Sequence, residues 1–303
     1  MYEVKKIDCD RVNDPIGKIY DGVYGYNKPY NIAHADLKGQ VALITGAAGM
    51  IGFATAKLLA ASGAHICIWD LVPEEVGAER VAEIVNAGGS ADYYKVNIAD
   101  KAECEKGVNA VIEKHGRIDI FFGNGGVNQG NRQPVYDFDE EKFPLNININ
   151  LNGGTFYLSK LILPYMIKQG GGKIMFTSSV CGVTGLRKQC GFVASKFAVA
   201  AMTKAMALEY GKYNIRVNCL APGSLPQPKA KLNFLWDTCS FDDYDSNFEN
   251  PTSMVYDIAA RRPAFPSEMA GLILYLASDD ASYTTGQVIC VDGGWTAGYS
   301  GDM

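Results

Sequence analysis

The sequence predicts an α/β fold in one domain: a doubly wound parallel sheet of about seven strands with helices on both faces. Two observations carry this. Residues 41 to 70, VALITGAAGMIGFATAKLLAASGAHICIWD, read as strand, glycine turn, helix and second strand. Beyond them, short apolar runs alternate with helical patterns as far as Val291, and near-continuous apolar strands belong to a parallel sheet covered on both faces. Of 303 residues, 48% are hydrophobic and 20% charged, enough for a full core. The net charge of −5 and the lack of a basic patch argue against nucleic acid or an anionic membrane as partner.

Taken in order, residues 1–38 precede the first strand and hold Tyr20, Tyr24, Tyr26 and Tyr30 among Gly22, Gly25 and Pro29. This extension is too rich in glycine for a helix and too aromatic for a typical disordered tail, and is expected to lie on the body or a neighbouring subunit. Residues 39–303 form the domain. Its expected strands are Val41–Thr45, His65–Trp69, Asp92–Val96, Ile118–Phe122, Lys173–Thr177, Ile215–Leu220 and Val288–Val291. Helices are expected over Phe53–Ala61, Glu74–Asn86, Lys101–Lys114, Leu145–Lys168, Phe192–Tyr210 and Ser267–Ala277. The segment at about 224–266 breaks the alternation. Its prolines, and its aromatics Phe234, Trp236, Phe241, Tyr244 and Phe248, suit a lid over a site or a small satellite core.

No apolar run of signal-peptide length opens the chain, and nowhere do about 18 uncharged apolar residues run together, so a cytoplasmic location is expected. The eight cysteines are scattered without a CxxC pair, so reduced thiols are the expectation. His34, His65 and His115 match no metal-ligand spacing, and no metal is expected.

The chemistry starts at Gly46, Gly49 and Gly52. These glycines allow close approach of a pyrophosphate, whose charge sits on the free amides and positive dipole end of the next helix. Asp70, ending the second strand, can accept both ribose hydroxyls of NAD, and its charge would meet the 2′-phosphate of NADP.

Together these motifs resemble the short-chain dehydrogenase/reductase family over about residues 38–298. The resemblance implies a Rossmann-type sheet and cofactor contacts at Gly46, Gly49, Met50, Ile51, Gly52, Asp70, Leu71, Asn97, Ile98, Asn124, Gly125, Lys196, Pro222, Gly223 and Leu225. The family's TGxxxGxG is altered here: Met50 stands at the middle glycine and Gly49 one place early. Asn97 takes the place of an Asp that touches adenine, Asn124-Gly125-Gly126 occupies the NNAG stretch, and Asn150 matches the helix Asn that holds a proton-relay water. The threonine usual after Pro222-Gly223 is missing.

The family's catalytic serine, tyrosine and lysine fall on Ser179, position 192 and Lys196, and position 192 is Phe. The ring is kept and the general acid/base proton is removed. A substitution made to trap a complex, a natural member with another donor, and a silent binder all fit, and the intact Asp70, Asn150, Ser179 and Lys196 favour the first. The resemblance implies NAD(H)-dependent interconversion of a secondary alcohol and a ketone. It also implies a homodimer or homotetramer paired through the helices at 145–168 and 192–210, with Thr285-Gly286 and Val291 to Gly294 matching the closing strand and turn. Cys181, Val183 and Leu186 after the serine, with the lid aromatics, suit a bulky apolar substrate. The tyrosine-rich extension is similar to that of bacterial 20β-hydroxysteroid dehydrogenases, which implies a hydroxysteroid, with sugars, polyols or cyclic ketones as alternatives. A silent NAD-binding regulator, and a lyase or isomerase on the same scaffold, are the rival readings. Cys181 and Cys190, flanking the motif, are read as small packing residues.

Overall fold

The computed structural model describes residues 35–129, 133–225, 258–260 and 263–298. The expectations for the N-terminal extension and for most of the lid lie outside them. The described chain runs β1 (Val41–Thr45), α1 (Met50–Ala61), β2 (His65–Asp70), α2 (Glu74–Asn86), β3 (Ser90–Lys95), α3 (Lys101–His115), β4 (Ile120–Gly123), α4 (Lys142–Asn146), a π-helix (Ile147–Tyr157), α5 (Leu158–Gln169), β5 (Gly172–Thr177), α6 (Cys190–Tyr210), β6 (Ile215–Pro222), α7 (Pro266–Ala277) and β7 (Val288–Val291). All seven expected strands form, in one sheet ordered β3-β2-β1-β4-β5-β6-β7, and every pairing is parallel.

The chain first walks outward from β1 to β3, then returns to lay β4 on β1's other side. The reversal between β1 and β4 opens a crevice at the strands' carboxyl ends. Alternation along the strands divides the core. Ala42, Ile44, Ile66 and Ile68 face the α1 and α7 side, while Leu43, Cys67, Trp69 and Phe121 face the α3, α5 and α6 side. All five residues of β1 are buried, and each large aliphatic among them contributes about 1.5–3 kcal/mol.

Three helices differ from expectation by two residues or more, and α1 is the first, beginning at Met50 instead of Phe53. The run read as one helix from 145 to 168 is π-helical over Ile147–Tyr157. The Thr155 hydroxyl donates to the Asn150 carbonyl five residues back at 2.9 Å, and a Cβ at Gly153 would sit 2.1 Å from the Ile98 carbonyl oxygen. This close approach to the chain after β3 has no trace in apolar periodicity, and such widened turns concentrate at functional sites. Helix α6 begins at Cys190, two residues early, so Phe192 lies in its first turn. With the turn after it, α6 is the one described helix long and apolar enough to cross a bilayer. Eight of its residues are buried within the fold, which explains its apolarity.

Candidate active site

The glycine turn shows which of its residues sterics demand. Gly46 has φ +62°, and a Cβ on Gly52 would lie 2.2 Å from the Gly46 oxygen. A Cβ on Gly49 would meet that oxygen at 3.4 Å, an ordinary contact, so only the first and last glycines are required by the turn itself. Gly49 is the N-cap of α1, with no side-chain cap and no acid in the first turn. The amides of Met50, Ile51 and Gly52 thus head a helix whose positive end nothing on its own first turn offsets. A cradle that side chains would fill, at an uncompensated helix start, fits a dinucleotide's pyrophosphate.

Asp70 closes this turn. Its Oδ2 accepts the Ala48 amide at 3.0 Å and its Oδ1 the Leu71 amide at 2.7 Å. Behind it, the Tyr93 hydroxyl donates to the Val72 carbonyl at 2.5 Å. Leu71 is exposed. On the far side of the crevice, the Thr45 hydroxyl accepts the amides of Asn124 and Gly125, and Asn124 Nδ2 donates to the Thr45 and Gly46 carbonyls. Thr177 donates to Asn124 Oδ1 at 3.1 Å, so β1, β4 and β5 are tied at their tips. Asn97 folds its side chain onto the Ala99 amide at 3.0 Å. Ile98 is half-buried against Gly125, whose Cβ would touch it at 2.9 Å. Pro222 ends β6, the Gly223 amide donates to Val291 at 3.0 Å, and Leu225 packs on the core.

The candidate catalytic residues gather where β5 meets α6. Lys196 is buried and donates from Nζ to the Thr177 carbonyl at 2.8 Å. Burial pushes its pKa down to about 8, with the thiols of Cys219 and Cys181 pulling the other way. The half-buried Phe192 ring lies one turn earlier, its centroid 5.6 Å from Nζ. Ser179 Oγ accepts the Cys181 amide at 3.1 Å, leaving its own proton to donate. Burial holds the Cys181 thiol above its usual value, against the pull of Ser179 and Lys196.

Asn150, in the π-helix, accepts the Val127 amide at 2.7 Å and donates to the Val127 carbonyl and to Ser195 Oγ, each at 2.9 Å. A Cβ on Gly126 would lie 2.8 Å from Asn150 Oδ1 and 3.4 Å from Lys196 Nζ, so these two groups meet across Gly126. Ser195, overlooked in the sequence, links Asn150 to the Phe192 carbonyl through a 2.8 Å bond.

Along the loop that follows Ser179 opens a cavity of about 530 Å³. Val180, Cys181, Val183 and Leu186 line one side, Cys290 and Trp295 the other. Trp295 also escaped the sequence reading. Asp292 positions it, accepting the Gly294 and Thr296 amides and the Thr296 hydroxyl at 2.6–2.9 Å.

Known proteins are similar to this chain in sequence and in fold. The family model described as enoyl-(acyl carrier protein) reductase matches residues 46–296. A 3-oxoacyl-[acyl-carrier-protein] reductase of Thermotoga maritima is 39% identical over 85% of this chain and 98% of its own. A 3α-hydroxysteroid dehydrogenase of Mediterraneibacter gnavus is 33% identical over 85% and 97%. Among solved structures, levodione reductase superposes with a TM-score of 0.76 at 33% identity, over 86% of this chain and 99% of that one. An NAD⁺-bound xylitol dehydrogenase gives 0.74 at 30%, over 85% and 99%. The chain therefore belongs to the short-chain dehydrogenase/reductase family, whose members bind a nicotinamide cofactor, and is an oxidoreductase of alcohol/ketone-type substrates.

Proposed function

We propose that this chain is an NAD(H)-dependent enzyme that interconverts a bulky, largely apolar secondary alcohol and its ketone, with turnover held low by Phe192. One observation carries the choice of cofactor: the Asp70 carboxylate stands at the tip of β2, bonded to the Ala48 amide inside the glycine turn. An anion there favours ribose hydroxyls over a 2′-phosphate. The α1 amides and Asn124-Gly125 would hold the dinucleotide, and Lys196 its nicotinamide ribose. When bound, that group supplies or accepts the hydride.

The chain's own residues would handle the oxygen and its proton. Ser179 donates to the substrate oxygen, while the Lys196 ammonium, with one carbonyl acceptor among the described residues, adds positive potential where negative charge develops. Asn150 and Ser195 hold the helix start that carries position 192. Phe192 offers no proton, which also supports the second reading, a silent NAD binder. The intact groups around it support a substitution in an otherwise complete site.

The largely apolar cavity along the loop after Ser179 supports a ring-bearing alcohol/ketone pair such as a hydroxysteroid and its ketosteroid over a sugar or polyol. The exposed Phe156, Ile167 and Phe197 on the π-helix, α5 and α6 support pairing of two copies through that face, as a homodimer or homotetramer. We place the enzyme in the cytoplasm, where its free thiols stay reduced.

Calorimetry with NADH and NADPH, followed by a panel of steroid, cyclic and polyol ketones, tests the proposal. NADH should bind more tightly, and Asp70→Ala should narrow the preference by at least about tenfold, since one charge contact is worth about 1.4 kcal/mol or more. Preference for NADPH in the unaltered chain refutes the cofactor assignment.

A further inference from the structure

We propose that the chain carries a transition-metal site, suited first to Zn²⁺, formed by His65, Cys67, Asp92 and His115 at the end of the sheet opposite the dinucleotide crevice. The period of two puts His65 and Cys67 on one face of β2. Parallel register sets Ser90 beside His65 and Asp92 beside Cys67 on the same face of β3. Helix α3 packs over that face and ends at His115. Residues far apart in the chain thus meet through register and helix return, and two of the chain's three histidines are among them.

One ligand atom from each of His65, Cys67 and His115 lies within 4.8 Å of the other two. Asp92 Oδ2 lies 3.0 Å from His65 Nε2 and 2.9 Å from His115 Nε2. In a tetrahedral zinc site, with Zn–N about 2.0–2.1 Å and Zn–S about 2.3 Å, neighbouring ligand atoms stand about 3.3–3.6 Å apart. From up to 4.8 Å the thiol needs to approach the imidazole nitrogens by about 1.2 Å, the Asp92 carboxylate to swing toward it, and the imidazoles to part slightly from that carboxylate. Cys67 is fully buried, so the half-buried His65, Asp92 and His115 supply this by rotamer adjustments around it.

The surroundings are those of a supported site. Ser90 Oγ lies 3.0 Å from His65 Nδ1 and can accept its proton, which leaves Nε2 as the ligand. Lys114 Nζ holds Asp92 Oδ1 at 2.7 Å, leaving Oδ2 inward, and the half-exposed lysine can turn its charge into water. Tyr94, two residues after Asp92 on the same face, keeps a buried hydroxyl with no partner among the described residues. On binding, the Cys67 thiol and any Nε2–H release their protons to solvent, a Zn–S bond forms, and nothing is oxidised or reduced. His65 and Asp70 lie at opposite ends of β2, about 17 Å apart. The ion would therefore staple β2, β3 and α3 without touching the reacting atoms.

The full chain, stripped with a chelator, is titrated with Co²⁺ and then Zn²⁺. The expected result is one Co²⁺ per chain, with a thiolate-to-cobalt charge-transfer band and four-coordinate d–d bands, all lost on adding Zn²⁺. Zn²⁺ should raise the melting temperature by about 5 °C or more. Cys67→Ser should abolish the charge-transfer band, and His115→Gln should weaken Co²⁺ binding at least about tenfold. Cys190→Ser, away from the cluster, should change neither. Should the variants fold poorly, diethyl pyrocarbonate labelling of the unaltered chain gives an independent reading. Zn²⁺ should protect His65 and His115 relative to the metal-free chain. Absence of the band, its survival in Cys67→Ser, or labelling of His65 and His115 that Zn²⁺ leaves unchanged overturns the site and leaves a hydrogen-bonded His–Asp–His cluster.

Discussion

Restoring a hydroxyl at position 192 is the sharpest test of the site. In Phe192→Tyr the new phenol extends from a half-buried ring whose centroid lies 5.6 Å from Lys196 Nζ, on the first turn of α6. With the ammonium about 4 Å from the phenolic oxygen and an effective dielectric of about 20, Coulomb attraction favours the phenolate by about 4 kcal/mol. That is about three pKa units, enough to move a tyrosine from about 10 toward about 7, before burial pushes back. A proton donor tuned to working pH contributes about 10²–10⁴-fold, or about 2.7–5.5 kcal/mol of barrier. The assay follows NADH absorbance with a cyclic or steroid ketone, for both proteins, across pH 6 to 10. The variant should turn over at least about 100-fold faster, with a new ionisation in its rate profile between about 7 and 9, and cofactor affinity within about threefold. A gain below about tenfold with NADH still bound would show that the ring is not beside the substrate oxygen, and would favour the silent binder.

Two further outcomes follow from the geometry. Gly52→Ala puts a Cβ 2.2 Å from the Gly46 oxygen, and should cost several kcal/mol and abolish dinucleotide binding. Gly49→Ala should fold within about 1 kcal/mol of the parent, and thermal melts with calorimetry separate the two. Burial depresses the Lys196 pKa to about 8 from 10.5, so its sign is that of a destabilising buried charge. Below about pH 8 the lysine is charged in both states and burial costs about 3 kcal/mol. Between 8 and 10.5 the folded chain sheds a proton the unfolded chain keeps, and stability rises with pH. Lys196→Met should thus stabilise the chain by about 2 kcal/mol at pH 7, after about 1 kcal/mol is lost at the Thr177 carbonyl, and by much less at pH 10 in urea unfolding.

Much of this molecule is local, and local order is legible in a sequence. The seven strands and their flanking helices follow from runs of Val, Ile and Phe and from glycine and proline punctuation, because burial on a sheet or helix face imposes periods of 2 and 3.6. The acid at position 70 and the Phe at 192 could be read at fixed offsets from the glycine turn and from Lys196, since a strand end and one helical turn set those distances. The π-helical stretch could not, because it answers to the Ile98 carbonyl, some fifty residues away, and not to its own periodicity. Nor could Trp295 beside the loop after Ser179, or the bonds joining Asn150, Ser195 and Phe192.

The histidines show the division most plainly. Their spacing in the chain carries no ligand pattern, yet His65 and His115 close on the same carboxylate oxygen. Propensity and turn chemistry, the glycine turn at 46–52 included, were determined by the sequence alone, since each is a matter of neighbours within a few residues. Strand register and the return of α3 across β2 and β3 were decided only by the tertiary structure. Packing two faces of one sheet brings together side chains that no interval in the chain relates.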